Sequence, residues 1–253
     1  MWKSRSSFAL YPASIVLGLL VWEAVAMFVP KGLLPPPSAV LGRLAAMTAD
    51  GSLPRALAGS VQHMMVGYLL AVAAAIPLGI LIGRNAPVAT AVEPVLNAIY
   101  AIPPVALVPF FIIWFGMYFE GRVALVFAMC FFEILINVMQ GARNVDRGLV
   151  DAARSLEASG LALWRRVLIP ASLPFIFTGL RVGIGRAVNA MITAELFFVA
   201  VNLGQMLKTR SNAFDTASAF ALILVVSLFG LACQEGMRLI ERRAIPWHRG
   251  SEA

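Results

Sequence analysis

Residues 151–170 read Asp-Ala-Ala-Arg-Ser-Leu-Glu-Ala-Ser-Gly-Leu-Ala-Leu-Trp-Arg-Arg-Val-Leu-Ile-Pro, a charged island in a chain that is otherwise mostly oil. Asp146 stands where an N-cap would satisfy a free N–H of a helical first turn. Leu149, Ala153 and Leu156 then recur at helical spacing and form one apolar stripe, with Asp151, Arg154 and Ser155 off it. Ser159-Gly160 is the expected break. Trp164, Val167 and Leu168 give a second short apolar face that leads to Pro170. A helix-turn-helix with one greasy and one charged face, set between two apolar runs, suits docking into a groove on another protein. It suits lying on lipid headgroups as well. Composition leaves both readings open.

The surroundings of the island fix the broad class. The 253 residues are 60% apolar and 13% charged, with a mean hydropathy of +0.84. A soluble domain carries about 25% charge, so the composition is that of an integral, all-α membrane protein. Fifteen prolines and twenty glycines fit membrane helices, which tolerate both. The net charge of +7 does not indicate nucleic acid, because no basic patch with interleaved aromatics accompanies it.

Six apolar runs are candidate transmembrane helices, at about 8–29, 60–83, 94–116, 121–141, 174–201 and 217–240. Pro30 and Leu34-Pro35-Pro36-Pro37 end the first, and Gly83-Arg84-Asn85 ends the second. Gly116 to Gly121 is a tight turn, and Pro103, Pro104 and Pro109 break or kink the third run. Pro37 to Met47 reads either as a short external helix near the membrane surface or as a plain loop. Ala24-Val25-Ala26 looks like a signal-peptidase site, but the run before it is long enough to span, and a retained first helix is expected.

With the N-terminus inside, Lys3, Arg5, Arg84, Arg143, Arg147, Arg154, Arg165, Arg166, Arg181, Arg238, Arg242, Arg243 and Arg249 fall on the cytoplasmic side. Lys31, Arg43, Arg55, Arg122, Lys208 and Arg210 fall outside. That asymmetry predicts two cytoplasmic termini. No linker divides the chain, so residues 1–253 are read as one transmembrane domain with a cytoplasmic loop at about 142–172.

Beyond its amphipathic faces, the island resembles the cytoplasmic "EAA" loop of permease subunits of bacterial ATP-binding-cassette (ABC) importers. Asp151-Ala152-Ala153 and Val167-Leu168-Ile169-Pro170 fall at the family's spacings, and Gly160 lies between them. Glu157 stands where the family has glycine, a departure that lets the helix be read through to Ser159-Gly160. Leu34-Pro35-Pro36-Pro37-Ser38-Ala39-Val40, Ala101-Ile102-Pro103-Pro104-Val105-Ala106-Leu107, Trp114-Phe115-Gly116 and Gly179-Leu180-Arg181-Val182-Gly183-Ile184-Gly185-Arg186-Ala187 resemble the branch serving nitrate, sulfonate, taurine, bicarbonate and vitamin-precursor importers.

The resemblance implies a type I importer permease in the bacterial inner membrane. It further implies a second permease copy, two cytoplasmic ATPase subunits that use ATP and Mg, and an external solute-binding protein. It favours ATPase docking at Asp151, Ala152, Ala153, Leu156, Glu157, Gly160 and Pro170 over the lipid reading. The chain itself has no P-loop: its only Lys-Thr, Lys208-Thr209, follows Leu207 and not glycine.

A charge inside a span costs about 2.5–3.5 kcal/mol on insertion scales and needs a reason. Glu133 and Asn137 share a helix face, as do Arg186, Asn189 and Thr193. Glu133 and Arg186 fall at similar depths on successive, oppositely running helices. They are read either as an ion pair joining two spans or as pathway lining. Glu23 and Glu195 lie near outer span ends, where Glu195 fits an outer gate or a solvated interface. An ion-coupled secondary transporter using Glu133, Arg186 and Glu195 is the alternative function, but such carriers often show two similar halves and none is visible. Cys130 and Cys233 lie in apolar runs, His63 and His248 are isolated, and Met64, Met65, Met117, Met129 and Met191 form no ladder, so the spacing predicts no metal site.

Overall fold

The computed structural model describes residues 5–30 and 32–246. The sequence readings on Lys3, Lys31, His248 and Arg249, and on the side chains of Arg5, Arg147 and Trp164, lie outside what it describes. All regular structure among the described residues is helical. The helices are α1 (Arg5–Phe28), α2 (Pro37–Ala49), α3 (Ser52–Arg84), α4 (Ala86–Tyr100), α5 (Pro104–Phe115), α6 (Phe119–Arg143), α7 (Arg147–Ser155), α8 (Gly160–Leu163), α9 (Ile169–Phe197), α10 (Asn202–Asn212) and α11 (Thr216–Ala244). A π-helical turn, Trp164–Leu168, joins α8 to α9.

Among the described residues, four helical stretches are long and apolar enough to cross a membrane: Ser52–Arg84, Phe119–Arg143, Arg165–Phe197 and Thr216–Ala244. The shorter apolar helix Pro12–Phe28 covers most of the first expected span. The third expected span, 94–116, is not one rod. Helices α4 and α5 meet at an angle of 91°. Neither Pro103 nor Pro104 offers an N–H, and a proline disfavours the α conformation in the residue before it; Pro103 has ψ 121°.

The chain forms two compact units. One comprises residues up to Ala58 with Ala200–Ser227, the other Gly59–Val199 with residues from Leu228 onward. In the first unit, Trp22 donates Nε1–H to the Pro35 carbonyl at 3.1 Å, and its ring lies 6.1 Å from that of Phe220. Glu23 accepts from the Ser38 backbone N–H (3.1 Å) and Oγ–H (2.7 Å), so a side chain of α1 caps the first turn of α2. This gives Glu23 its reason and confirms Pro37 to Met47 as helical.

Asp215 caps α11 through Ser218 N–H (3.2 Å) and Ser218 Oγ–H (2.7 Å), with Arg210 at 3.4 Å and Arg43 at 3.9 Å. Partial burial works against its ionisation. The Ser218 hydrogen bonds and the two guanidinium groups outweigh that and hold the carboxyl below its ordinary range.

The second unit is built around α6 and α9, which pack along much of their length. Close approach is possible because Gly179 and Gly183 of α9 face Ile134 and Asn137 of α6; a Cβ at 183 would sit 2.7 Å from Ile134 Cγ1. Gly83 of α3 is equally tight, since an added Cβ would run into the Met139 carbonyl.

Candidate functional site

Three places in the second unit gather the residues on which the sequence reading turns. The first is the charged island. Asp146 Oδ1 accepts from Gly148 N–H at 2.8 Å, satisfying the start of α7 as its sequence position predicts. The helix does not run on to Ser159-Gly160. It ends at Leu156, with Ala158 N–H bonded to the Ala153 carbonyl (3.0 Å) and Glu157 N–H to the Arg154 carbonyl (2.9 Å). These two bonds define a Schellman cap, and Glu157 takes its left-handed position with φ 61°.

Glu157 therefore occupies the backbone conformation that glycine would fill there without strain. The propensity of Glu for helix is overridden by the demand of the turn. Gly160, with φ 54°, opens α8, and Ser159 supplies carbonyl bonds to Ala162 and Leu163 N–H. Pro170 lacks the N–H that an α-helix would direct to the Arg166 carbonyl, at the end of the π turn.

On α7 the apolar stripe is not absorbed by the fold. Leu156 is 83% exposed and Leu149 is 52% exposed, with Ala153 between them half-buried. Asp151, Ala152 and Glu157 are exposed as well, and so is Gly160. Leu163 and Leu168 instead turn inward and anchor the connector.

The second place joins Glu133 and Arg186. Arg186 Nε donates to Glu133 Oε2 at 3.1 Å, and its Nη2 donates to Tyr100 Oη at 2.7 Å. The Tyr100 hydroxyl donates in turn to the same Glu133 oxygen at 2.8 Å. Three helices, α4, α6 and α9, are thus tied at one point. Tyr100 and Arg186 line a half-open groove of about 140 Å³ whose other walls are apolar, among them Ile102, Leu107, Phe111, Met129 and Phe132. Asn137 directs its amide N–H to the Glu133 carbonyl at 2.8 Å, and Asn189 is exposed one turn beyond Arg186; neither joins the triad. Tyr100 went unread in the sequence, although it lies at the end of α4 next to the proline break that aims it.

The third place holds Glu195, which is enclosed and not solvated. Its side chain is fully buried. Glu195 Oε1 accepts from Ser60 Oγ–H at 2.6 Å, and His63 Nε2 approaches the same oxygen to 3.8 Å. Arg122 adds a positive charge acting on Glu195, while its Nη1 reaches the Val199 carbonyl at 3.4 Å. His63 is thus not isolated in space. Ser60 and His63 share a face of α3 within an apolar run, and that spacing was the signal. Among the described residues no group of three or more His, Cys, Asp or Glu is placed to hold a metal.

Apolar spans, charges tied together inside them and a polar two-helix connector define a multi-pass membrane protein. The fold agrees with that of a chain of the inward-facing MetNI methionine ABC transporter, at a TM-score of 0.67 and 17% identity, covering 78% of this chain and 97% of that one. This is the type I ABC importer permease fold. The chain belongs to the family of binding-protein-dependent transport system inner membrane components, which matches residues 75–246.

It is 30% identical to the taurine transport system permease protein TauC of Escherichia coli (strain K12), over 98% of this chain and 92% of TauC. It is 29% identical to the putative aliphatic sulfonates transport permease protein SsuC of Bacillus subtilis (strain 168), over 96% and 88%. Against the nitrate import permease protein NrtB of Leptolyngbya laminosa it is 32% identical, over 75% and 68%. The protein is therefore a multi-pass inner-membrane permease subunit of an ABC importer and not a secondary transporter. Such a permease subunit is not itself catalytic.

Proposed function

We propose that residues 151–170 receive a cytoplasmic ATPase subunit and pass its movement to the spans, so that ATP and Mg are used by the partner and not by this chain. The Leu149–Ala153–Leu156 stripe, with both leucines exposed, carries the reading: an amphipathic helix whose apolar face is left largely uncovered within a membrane protein's polar connector is built to enter a groove. Asp151, Ala152 and Glu157 form its polar rim. Gly160 and Pro170 set the path from the docking helix back into α9. In this reading 1–253 act as one permease domain, and both termini lie in the cytoplasm with the connector.

A second permease copy completes the pathway, two ATPases engage the two connectors, and an external solute-binding protein delivers the cargo. The relatives that transport taurine, aliphatic sulfonates and nitrate favour a small anionic or polar solute. The test is Ala153→Asp, which sets a charge in the middle of the stripe. The variant is expected to insert normally, to lose co-purification of the ATPase and to abolish uptake. Retained co-purification together with normal uptake would remove the connector from this role.

A further inference from the structure

We propose that the Tyr100–Glu133–Arg186 triad and the groove beside it form a binding site for a small monovalent organic oxyanion, a sulfonate or carboxylate on a short apolar body. The proposal deepens the permease reading and rests on it.

Arg186 uses one edge within the protein: Nε goes to Glu133 Oε2 and Nη2 to Tyr100 Oη. The other edge, formed by Nη1 and the second Nη2 proton, carries no hydrogen bond among the described residues. Two parallel N–H groups in that arrangement match the two oxygens of a carboxylate or sulfonate. The edge is reachable, because the Arg186 side chain is 44% exposed and lines the groove. Tyr100 fixes the guanidinium from beside it, with the Arg186 Cζ 5.8 Å from its ring centre.

Charge sets how strongly such a ligand is held. Glu133 already neutralises Arg186, so an arriving anion gains two directed hydrogen bonds without a full unpaired positive charge. A site on a transport path must be left as readily as it is entered, and a compensated arginine meets that need better than a bare one. It also disfavours a divalent anion, whose second charge would face the Glu133 carboxylate without a partner.

The groove decides the rest of the ligand. Apart from Tyr100 and Arg186, its walls are apolar side chains such as Ile102, Leu107, Phe111 and Phe132. A bare inorganic anion would lose water against those apolar walls, with nothing there to replace it. An alkyl group of a few carbons would fill that space and be stabilised by the same walls.

The test uses the full permease–ATPase complex without its binding protein, so that the latter's selectivity does not intervene. With Cys130 and Cys233 replaced by alanine, Leu107→Cys places one thiol in the groove wall, and its alkylation rate is read with and without millimolar 1-propanesulfonate. The sulfonate is expected to slow alkylation several-fold, with sulfate and uncharged 1-propanol having little effect. Arg186→Lys, which keeps the charge that pairs with Glu133 but loses the fork, is expected to assemble and to lose most of that protection; Arg186→Gln is expected to lose all of it. Equal protection by 1-propanol would show an apolar crevice only. Absence of protection, or full protection in both Arg186 variants, would overturn the site. Failure of the ATPase to co-purify with the unaltered chain would instead strike the coupling reading, so the two failures are separate.

Discussion

Glu195 and Glu133 lie on the packed pair α9 and α6, both face a basic group, and they have opposite surroundings. Glu195 is enclosed by Ser60, His63 and the charge of Arg122, with no exposed surface. Glu133 shares one oxygen between Tyr100 and Arg186, and its arginine opens onto a groove. A carboxylate closed in by a hydroxyl donor and a basic group from neighbouring helices is a cross-link. A carboxylate that leaves its partner one free edge is a holder for that partner. Burial depth alone would have ranked the two alike as costly intramembrane charges; the direction in which the cationic partner points separates them.

The contrast breaks most readily at Glu195. Glu195→Ala leaves Ser60, His63 and Arg122 around a void, and removing one member of a buried charged set costs about 3–5 kcal/mol. A steep fall in the melting temperature of the purified complex is expected; an unchanged melting temperature would mean that the cluster does not hold α3 to α9. The open pair should lose less. Glu133→Gln and Arg186→Gln are each expected to cost about 1–2 kcal/mol, reduced because the arginine side chain is 44% exposed. The double substitution should cost less than the two added together, since a lone charge is worse than none. Strict additivity would deny the coupling seen in the geometry.

Asp215 extends the comparison to a carboxylate outside the spans. Asp215→Ala should loosen the start of α11 by about 1 kcal/mol, the worth of a helix cap. Because its folded pKa is lowered, its stabilisation is complete above the ordinary carboxylate range and is lost as pH falls through the lowered value. Asp215→Asn keeps a cap and removes the titration, so its acid unfolding should be less steep than that of the parent. Superimposable acid limbs would show that the charge contributes nothing. The smallest effect is expected at Glu157. Glu157→Gly relieves a left-handed backbone and should stabilise the folded connector by about 0.5–1 kcal/mol, set against the extra freedom glycine has when unfolded. A loss of stability would show that the Glu157 side chain holds something in place.

Where the sequence was sufficient, one local rule governed the outcome. Long apolar runs became long helices, Asp146 capped α7, and the Pro103-Pro104 step broke the third run as proline must. The size of the break, a right-angle bend between α4 and α5, depends on packing that no local pattern encodes. Helix α10 was missed because Asn202–Asn212 is short, polar and without an apolar period. His63 and Glu195 meet across 132 positions of chain, a distance over which residue spacing carries no information. Glu157 failed for the opposite reason: its helix propensity was read correctly and lost to the geometry of the cap.

That cap has a mechanical consequence. Glycine at the end of α7 would give the joint several backbone basins of similar energy, and a push on the helix would be partly spent in moving among them. An L-residue held at φ 61° has fewer alternatives, so the joint bends less for the same load. The Schellman bonds from Glu157 and Ala158 close the same turn from inside. A short elbow then separates α7 from the buried anchor at Leu163 and Leu168; in the docking role proposed for the connector, Glu157 would stiffen its first turn and leave Gly160 as the one joint free to yield before the base of α9.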